Sequence, residues 1–143
     1  MSCVLRAGGV KFDVDEFLKS STLDVLTAFH RGAVRFPTTS VTRTSEYSGM
    51  NVTVCAHQFP DLRTQIEDAI RFLRENEQEL RRLRHAPGLD RMDMEFPVED
   101  RDMVFQSDAF PSRLLSLLGS LDIGLVISRY PMPRAVDTPP LEQ

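Results

Sequence analysis

The stretch FPDLRTQIEDAIRFLRENEQELRRLR, Phe59 to Arg84, limits the possible folds more than any other part of the chain. Leu62, Ile66, Ala69, Ile70, Leu73, Leu80 and Leu83 recur at helical spacing, and Glu77 interrupts the stripe near its middle. Nearly every other position is charged or an amide, so the pattern is that of an amphipathic helix with one dry face. At ~1.5 Å per residue the helix is expected to run roughly 37 Å, about the width of a small domain. A dry stripe of that length must be covered, so other elements are laid against it. Pro60 suits the first turn, where a missing amide hydrogen costs little. Arg81, Arg82 and Arg84, with His85 beyond, complement the negative end of the dipole, and Pro87-Gly88 is a stop signal.

The flanking segments read mostly as strands. Ser2–Ala7 alternates, with Cys3, Leu5 and Ala7 on one side, and Gly8-Gly9 is expected to end it. Asp13 and Glu16 form an aspartate capping box and Phe12 and Phe17 a hydrophobic staple, which predicts a short helix stopping near Ser20-Ser21-Thr22. Leu23–Phe29 fits either a strand or two helical turns; the strand is preferred because Gly32 and Pro37 close it quickly. Thr38–Ser48 reads as a hairpin loop or an edge strand. Met50, Val52 and Val54 alternate with Asn51, Thr53 and Cys55 as in a half-buried strand. Met92, Met94, Phe96 and Val98 do so again, with Pro97 restricting that strand to an end or an edge position. Leu114, Leu115, Leu117, Leu118 and Leu121 form a helix after Phe110-Pro111, and Ile123, Leu125 and Ile127 a last strand ending at Tyr130.

The order β-α-β-β-α-β-α-β predicts an α+β fold: a mostly antiparallel sheet of about five strands with helices on one face, ferredoxin-like in character. Residues 1–130 are expected to form a single domain, because a chain of 143 residues hides roughly 68–70% of its unfolded surface and needs no staples. Residues 131–143, with prolines at 131, 133, 139 and 140, are expected to be a disordered tail. The start MSCVLRAGG lacks a basic region followed by an apolar stretch, and no apolar run approaches the ~18 residues of a membrane span, so a cytoplasmic chain without membrane contact is expected. A net charge of −4 argues against nucleic-acid binding and favours, if anything, a basic partner.

No motif carries chemistry outright. Asp13, Asp15 and Glu16 lack the glycine and distal glutamate of a calcium loop, and capping already accounts for Asp13 and Glu16. His30, His57 and His85 have no His or Cys two to four residues later, so zinc has no local signature. Cys55 and His57, two apart on a strand, could share a face as nucleophile and base, but nothing nearby would activate the thiol. Cys3 and Cys55 are therefore expected to be buried, reduced thiols. Gly8-Gly9 is not a phosphate loop. The arginines of the long helix alternate with acids, so ion pairs Arg63–Glu67, Arg71–Glu75 and Glu77–Arg81 explain them. No catalytic residue, metal ligand or cofactor is assigned.

The acidic tract is the stronger signal. From Leu89 to Phe110 acids far outnumber Arg91 and Arg101. Asp93, Glu95, Glu99, Asp100 and Asp102 are the candidate partner-binding residues, because a negative patch steers basic partners; protection of an edge strand by charge is the alternative explanation.

The opening strand into FDVDEFL, the HRG turn at His30–Gly32, the GMNVTV strand, the Glu/Arg-rich helix and FPSRLLSLLGSLDIGLVISRYP together resemble a family of small uncharacterised bacterial α+β domains. The resemblance spans Val4 to Tyr130 and brings no catalytic residues with it. Some domains of this kind are similar to immunity proteins that neutralise secreted toxins, so an immunity-like role is one implied expectation. The function expected is a non-enzymatic protein-binding module. The alternatives are a small enzyme or ligand-binding protein with a pocket between helices and sheet, and a homo-oligomer joined through an edge strand or the long helix.

Overall fold

The computed structural model describes residues 2–34, 44–57 and 61–131. The elements run β1 (Val4–Gly9), α1 (Val14–Leu18), β2 (Val25–Phe29), β3 (Ser48–Thr53), α2 (Leu62–Glu75), α3 (Glu77–Arg84), β4 (Arg91–Asp100), α4 (Ser112–Ser120) and β5 (Gly124–Pro131). One five-stranded sheet has the order β2-β3-β1-β4-β5. Its first three pairings are antiparallel, and β5 lies parallel to β4, joined to it by the α4 crossover. The fold is α+β with a mostly antiparallel open sheet.

Register explains how the two sides of the sheet come to differ. Leu5 stands opposite Val52 and Met94, and Ala7 opposite Met50 and Met92, so these side chains share one side. They join Phe12, Val14 and Phe17 around α1, Ile66, Ala69, Ile70 and Leu73 of α2, Leu80 and Leu83 of α3, and Leu114 and Leu118 of α4 in one core cluster. Arg6 stands opposite Asn51 and Asp93, and Val4 opposite Thr53 and Glu95, on the side that the helices leave uncovered.

The single helix expected over 59–84 is in fact two. Asp61 caps the start of α2 by accepting from the Thr64 amide at 2.7 Å. Asn76, at φ −111° and ψ 16°, ends α2 and precedes α3. Its side-chain Nδ2 donates to the Phe72 carbonyl at 2.9 Å, alongside its own backbone N–H at 3.0 Å. An asparagine amide that bonds locally to backbone competes with helix propagation. The break falls where Glu77 interrupts the apolar stripe. Pro60 and the Phe59-Pro60 part of the expected pattern lie outside the described residues, as does most of Thr38–Ser48; of that segment Thr44 bridges to Val34 and Ser48 opens β3. The segment expected as a tail lies outside them from residue 132 onward.

Two further corrections concern strand ends. β1 does not stop at Ala7: Gly8 and Gly9 are its last two residues and pair with Gly49 and Ser48. Pro97 lies within a strand that has neighbours on both sides, yet the β1 pairing stops at Glu95. From Phe96 onward β4 pairs only with β5, so the ring occupies a local edge. The short-helix signals match in part. Asp13 accepts from the Glu16 amide at 3.0 Å and the Phe12 and Phe17 rings lie 6.1 Å apart. The Glu16 carboxylate, however, pairs with Lys19 at 2.7 Å where the capping box expected it at the Asp13 amide.

Two glycines give opposite expectations. A Cβ on Gly9 would lie 2.0 Å from the Gly88 carbonyl, backbone that itself sits at φ 81°. A Cβ on Gly119, within α4, would meet nothing within 4 Å. Urea denaturation should show Gly9→Ala destabilised by about 1–3 kcal/mol or more, as overpacking costs, and Gly119→Ala stabilised by about 0.5–1 kcal/mol. An unchanged midpoint for Gly9→Ala would contradict the close approach.

Candidate functional site

The acidic positions separate into two groups. Glu95 is only 7% exposed and is held on the uncovered side of the sheet by an ion pair from Arg6 and a hydrogen bond from the Ser128 hydroxyl. Asp93, two residues away on the same side, is partly buried and pairs with Arg91. These two charges are neutralised by neighbours within the sheet. Glu99 and Asp100, at the end of β4, and Asp102 beyond it are exposed, and none forms an ion pair among the described residues.

The loop that follows is tied down at its base. The Arg101 amide donates to Gln106 Oε1 at 2.9 Å, and Gln106 Nε2 donates to the Glu99 carbonyl at 3.0 Å and to Asp108 Oδ2 at 2.9 Å. Arg101 Nη2 closes the clamp on Asp108 Oδ1 at 2.8 Å. The Gln106 hydrogen bond, then Arg101, hold the Asp108 carboxyl below its ordinary range. Above the clamp, Met103, Val104 and Phe105 point outward, with relative exposures of 65%, 110% and 78%. Three consecutive apolar residues on a braced loop, next to three unpaired acids, form the most distinctive exposed surface among the described residues.

A recess of about 410 Å³ opens on the β2-β3-β1 part of the sheet, lined by Arg6, Thr27, Phe29, His30, Tyr47 and Arg91 among others. It lies on the uncovered side, not between helices and sheet. Phe29 and Tyr47 meet edge to face at 5.5 Å along one wall.

A third site gathers side chains that the sequence keeps apart. Cys55, just past the end of β3, donates to Asp68 Oδ2 of α2 at 3.0 Å. His57 Nδ1 is 3.1 Å from the same oxygen and 3.8 Å from the Cys55 sulfur. Arg71 Nη1 donates to the other oxygen at 3.0 Å, so this arginine pairs with Asp68 and not with the expected Glu75. The expected pairs Arg63–Glu67 and Glu77–Arg81 are present. Cys55 and His57 were expected on a strand, but β3 ends at Thr53. What holds Cys55 there is its backbone N–H, which donates to the Cys3 carbonyl at 3.3 Å.

A Cys–His–Asp trio invites comparison with a nucleophile–base–orienter set, but the connections are wrong for that. In a working triad the imidazole lies between nucleophile and carboxylate; here the carboxylate lies between thiol and imidazole. Burial, and then the thiol's own bond to Asp68, push the Cys55 thiol up to about 11. Asp68 is correspondingly held below its ordinary range, first by the Cys55 hydrogen bond and also by His57 and Arg71. Both thiols are free and buried, as expected. His30 also meets a carboxylate, Asp15 at 3.0 Å, on open surface.

Comparison with family models, curated proteins and solved structures finds no match to the chain. No helix among the described residues is long and apolar enough to cross a membrane.

Sequence reasoning missed the Cys55 site because its third member sits 13 residues away on a helix, where a buried acid at Asp68 interrupts no periodicity. It found the acids of the loop after β4 but not its apolar tip, because Met103, Val104 and Phe105 lie outside any alternating segment. The thiol's environment gives one expectation: with its ionisation raised from about 9 to about 11, the native Cys55 should react with iodoacetamide at pH 8 roughly 100-fold more slowly than the urea-unfolded chain. Labelling of the native chain at the unfolded rate would refute the protected thiol. A second concerns the clamp: an NMR titration should place the Asp108 carboxyl below 3.8, and Arg101→Ala should move it upward. Because the folded value is depressed, the clamp's contribution to stability is present above the ordinary aspartate range and is lost as pH falls through the folded value.

Proposed function

We propose that the chain is a non-enzymatic protein-binding module that docks on a basic protein surface through the loop after β4. The observation that carries this is the outward display of Met103, Val104 and Phe105 on a braced base, with Glu99, Asp100 and Asp102 beside them. Large contiguous apolar groups left in water mark interaction sites. Aromatic and methionine side chains are enriched at the centre of interfaces, inside a polar rim. The acids supply long-range attraction and orientation for a basic partner, while the apolar tip supplies the desolvated contact. Asp93 and Glu95 contribute to the fold through Arg91 and Arg6, so the rim of this interface consists of Glu99, Asp100 and Asp102.

An immunity-like role is the form of this function implied by the resemblance to small bacterial α+β domains. The antiparallel order β2-β3-β1-β4 of the first four strands supports ferredoxin-like character, with α4 and β5 as an addition at one edge. Two free thiols and no disulfide among the described residues support a reducing, cytoplasmic setting.

The test is native capture with the full chain immobilised, comparing Met103→Asp/Phe105→Asp and Glu99→Lys/Asp100→Lys/Asp102→Lys with the unaltered chain. Both variants should fold with unchanged melting behaviour, since the altered side chains are exposed, and both should lose the same basic protein. Loss should be ~10-fold or more for the apolar pair, the scale of a ~1.4 kcal/mol hot spot. Raised salt should weaken capture by the unaltered chain. Retention of the partner by both variants would reject this surface. Light scattering that shows a dimer dissociated by the apolar variant would identify the partner as a second copy instead.

A further inference from the structure

We propose that Cys55, His57 and Asp68 form a zinc-binding site with one coordination position open to solvent. The three donor atoms, a sulfur, an imidazole nitrogen and a carboxylate oxygen, lie mutually 3.0, 3.1 and 3.8 Å apart. Zinc bonds of ~2.3 Å to sulfur and ~2.0–2.1 Å to nitrogen and oxygen, at tetrahedral angles, require donor separations of roughly 3.3–3.6 Å. The trio therefore needs adjustments of about half an ångström, within the reach of side-chain rotation. Its members come from two segments that the fold itself brings together, the turn after β3 and the second turn of α2, so the spacing does not depend on one flexible loop.

Donor chemistry selects the metal. Thiolate and imidazole suit zinc better than magnesium or calcium, which take oxygen ligands. A carboxylate as third ligand completes the three-protein-ligand arrangement in which zinc keeps a water in its fourth position. Exposure agrees with this: Cys55 and Asp68 are buried, whereas the His57 side chain is 65% exposed, so solvent reaches the site from one side. Asp68 Oδ2 accepts from Cys55 and approaches His57, while Arg71 donates to Oδ1 and leaves Oδ2 facing the other two donors. An ion entering between the three donors replaces the thiol–carboxylate hydrogen bond; the thiol proton leaves to solvent and the sulfur binds as thiolate. Arg71 is then an outer partner that orients the ligating carboxylate.

Cys3 is a natural control. It is fully buried beside Cys55, with its carbonyl bonded to the Cys55 amide, yet its sulfur is not part of the compact donor group.

The full chain, stripped of metal and reduced, is titrated with cobalt(II) as a spectroscopic probe and then with zinc against a chromophoric chelator. One ion per chain is expected, with a thiolate-to-cobalt charge-transfer band and the intense visible absorption of a four-coordinate ion; zinc should displace the cobalt. His57→Ala, which alters an exposed side chain, should weaken zinc binding at least about 100-fold, and Arg71→Ala about 10–100-fold, as expected of an outer partner. Cys55→Ala should abolish the charge-transfer band, and Cys3→Ala should keep it. Absence of the band in the unaltered chain, or equal binding by His57→Ala, would overturn the proposal. So would loss of the band in Cys3→Ala with the fold intact by circular dichroism.

Discussion

Everything in this structure depends on the parity of three adjacent strands. β3, β1 and β4 are registered so that Val52, Leu5 and Met94 lie in one row on the covered side, while Asn51, Arg6 and Asp93 form the neighbouring row on the uncovered side. A slip of one residue in β1 would place Arg6 in the dry core and put Leu5 in water. No such slip is tolerable, because α1, α2, α3 and α4 all contribute side chains to the core on that side. The uncovered side adds its own check. Arg6 reaches Glu95 on the neighbouring strand, and Ser128 of β5 reaches the same carboxylate, so Glu95 ties three strands together through charge. Burying one partner of an ion pair is costly unless the pairing is kept, so Arg6, Glu95 and Ser128 favour the same register as the apolar row does.

That parity is also why so much of the fold was legible in the sequence. Period-two alternation at Met92–Val98 and Met50–Val54 and the capping signals at Asp13 each report on atoms within a few residues. The break at Asn76 was legible only in part: Glu77 marked a flaw in the stripe, but the cause is a side-chain amide bonding to the Phe72 carbonyl, and composition does not reveal that choice. The parallel placement of β5 depends on which edge was free after β1 and β4 had paired, a property of the whole sheet that no local pattern carries.

Charge was harder to read than grease. The acids of β4 looked like one negative tract because sequence shows their density and not their partners. Arg6 is far from Glu95 in the chain and adjacent to it in space, and it removes Glu95 from the surface. The same distance hid the Cys55 site. A helix position such as Asp68, preceded by Glu67 and followed by Ala69, looks like part of a solvated face until the turn after β3 brings Cys55 and His57 against it.

The two proposed sites differ in how each holds its charge, and the difference follows from burial. On the loop after β4, Glu99, Asp100 and Asp102 stay hydrated, so they cost the fold little and act at a distance. What the loop must spend is order, since chain that displays Met103, Val104 and Phe105 without covering them gains no burial in return. The Gln106–Arg101–Asp108 clamp meets that need with polar bonds at the base of the loop, leaving the apolar tip available. Asp68 is the opposite case: buried, it needs close partners to remain ionised, and Cys55, His57 and Arg71 are the ones it has. A carboxylate that draws a thiol and an imidazole to one of its oxygens has gathered around itself the other two donors a zinc ion would need. The solution that folding finds for one buried charge thus prepares the geometry for a metal.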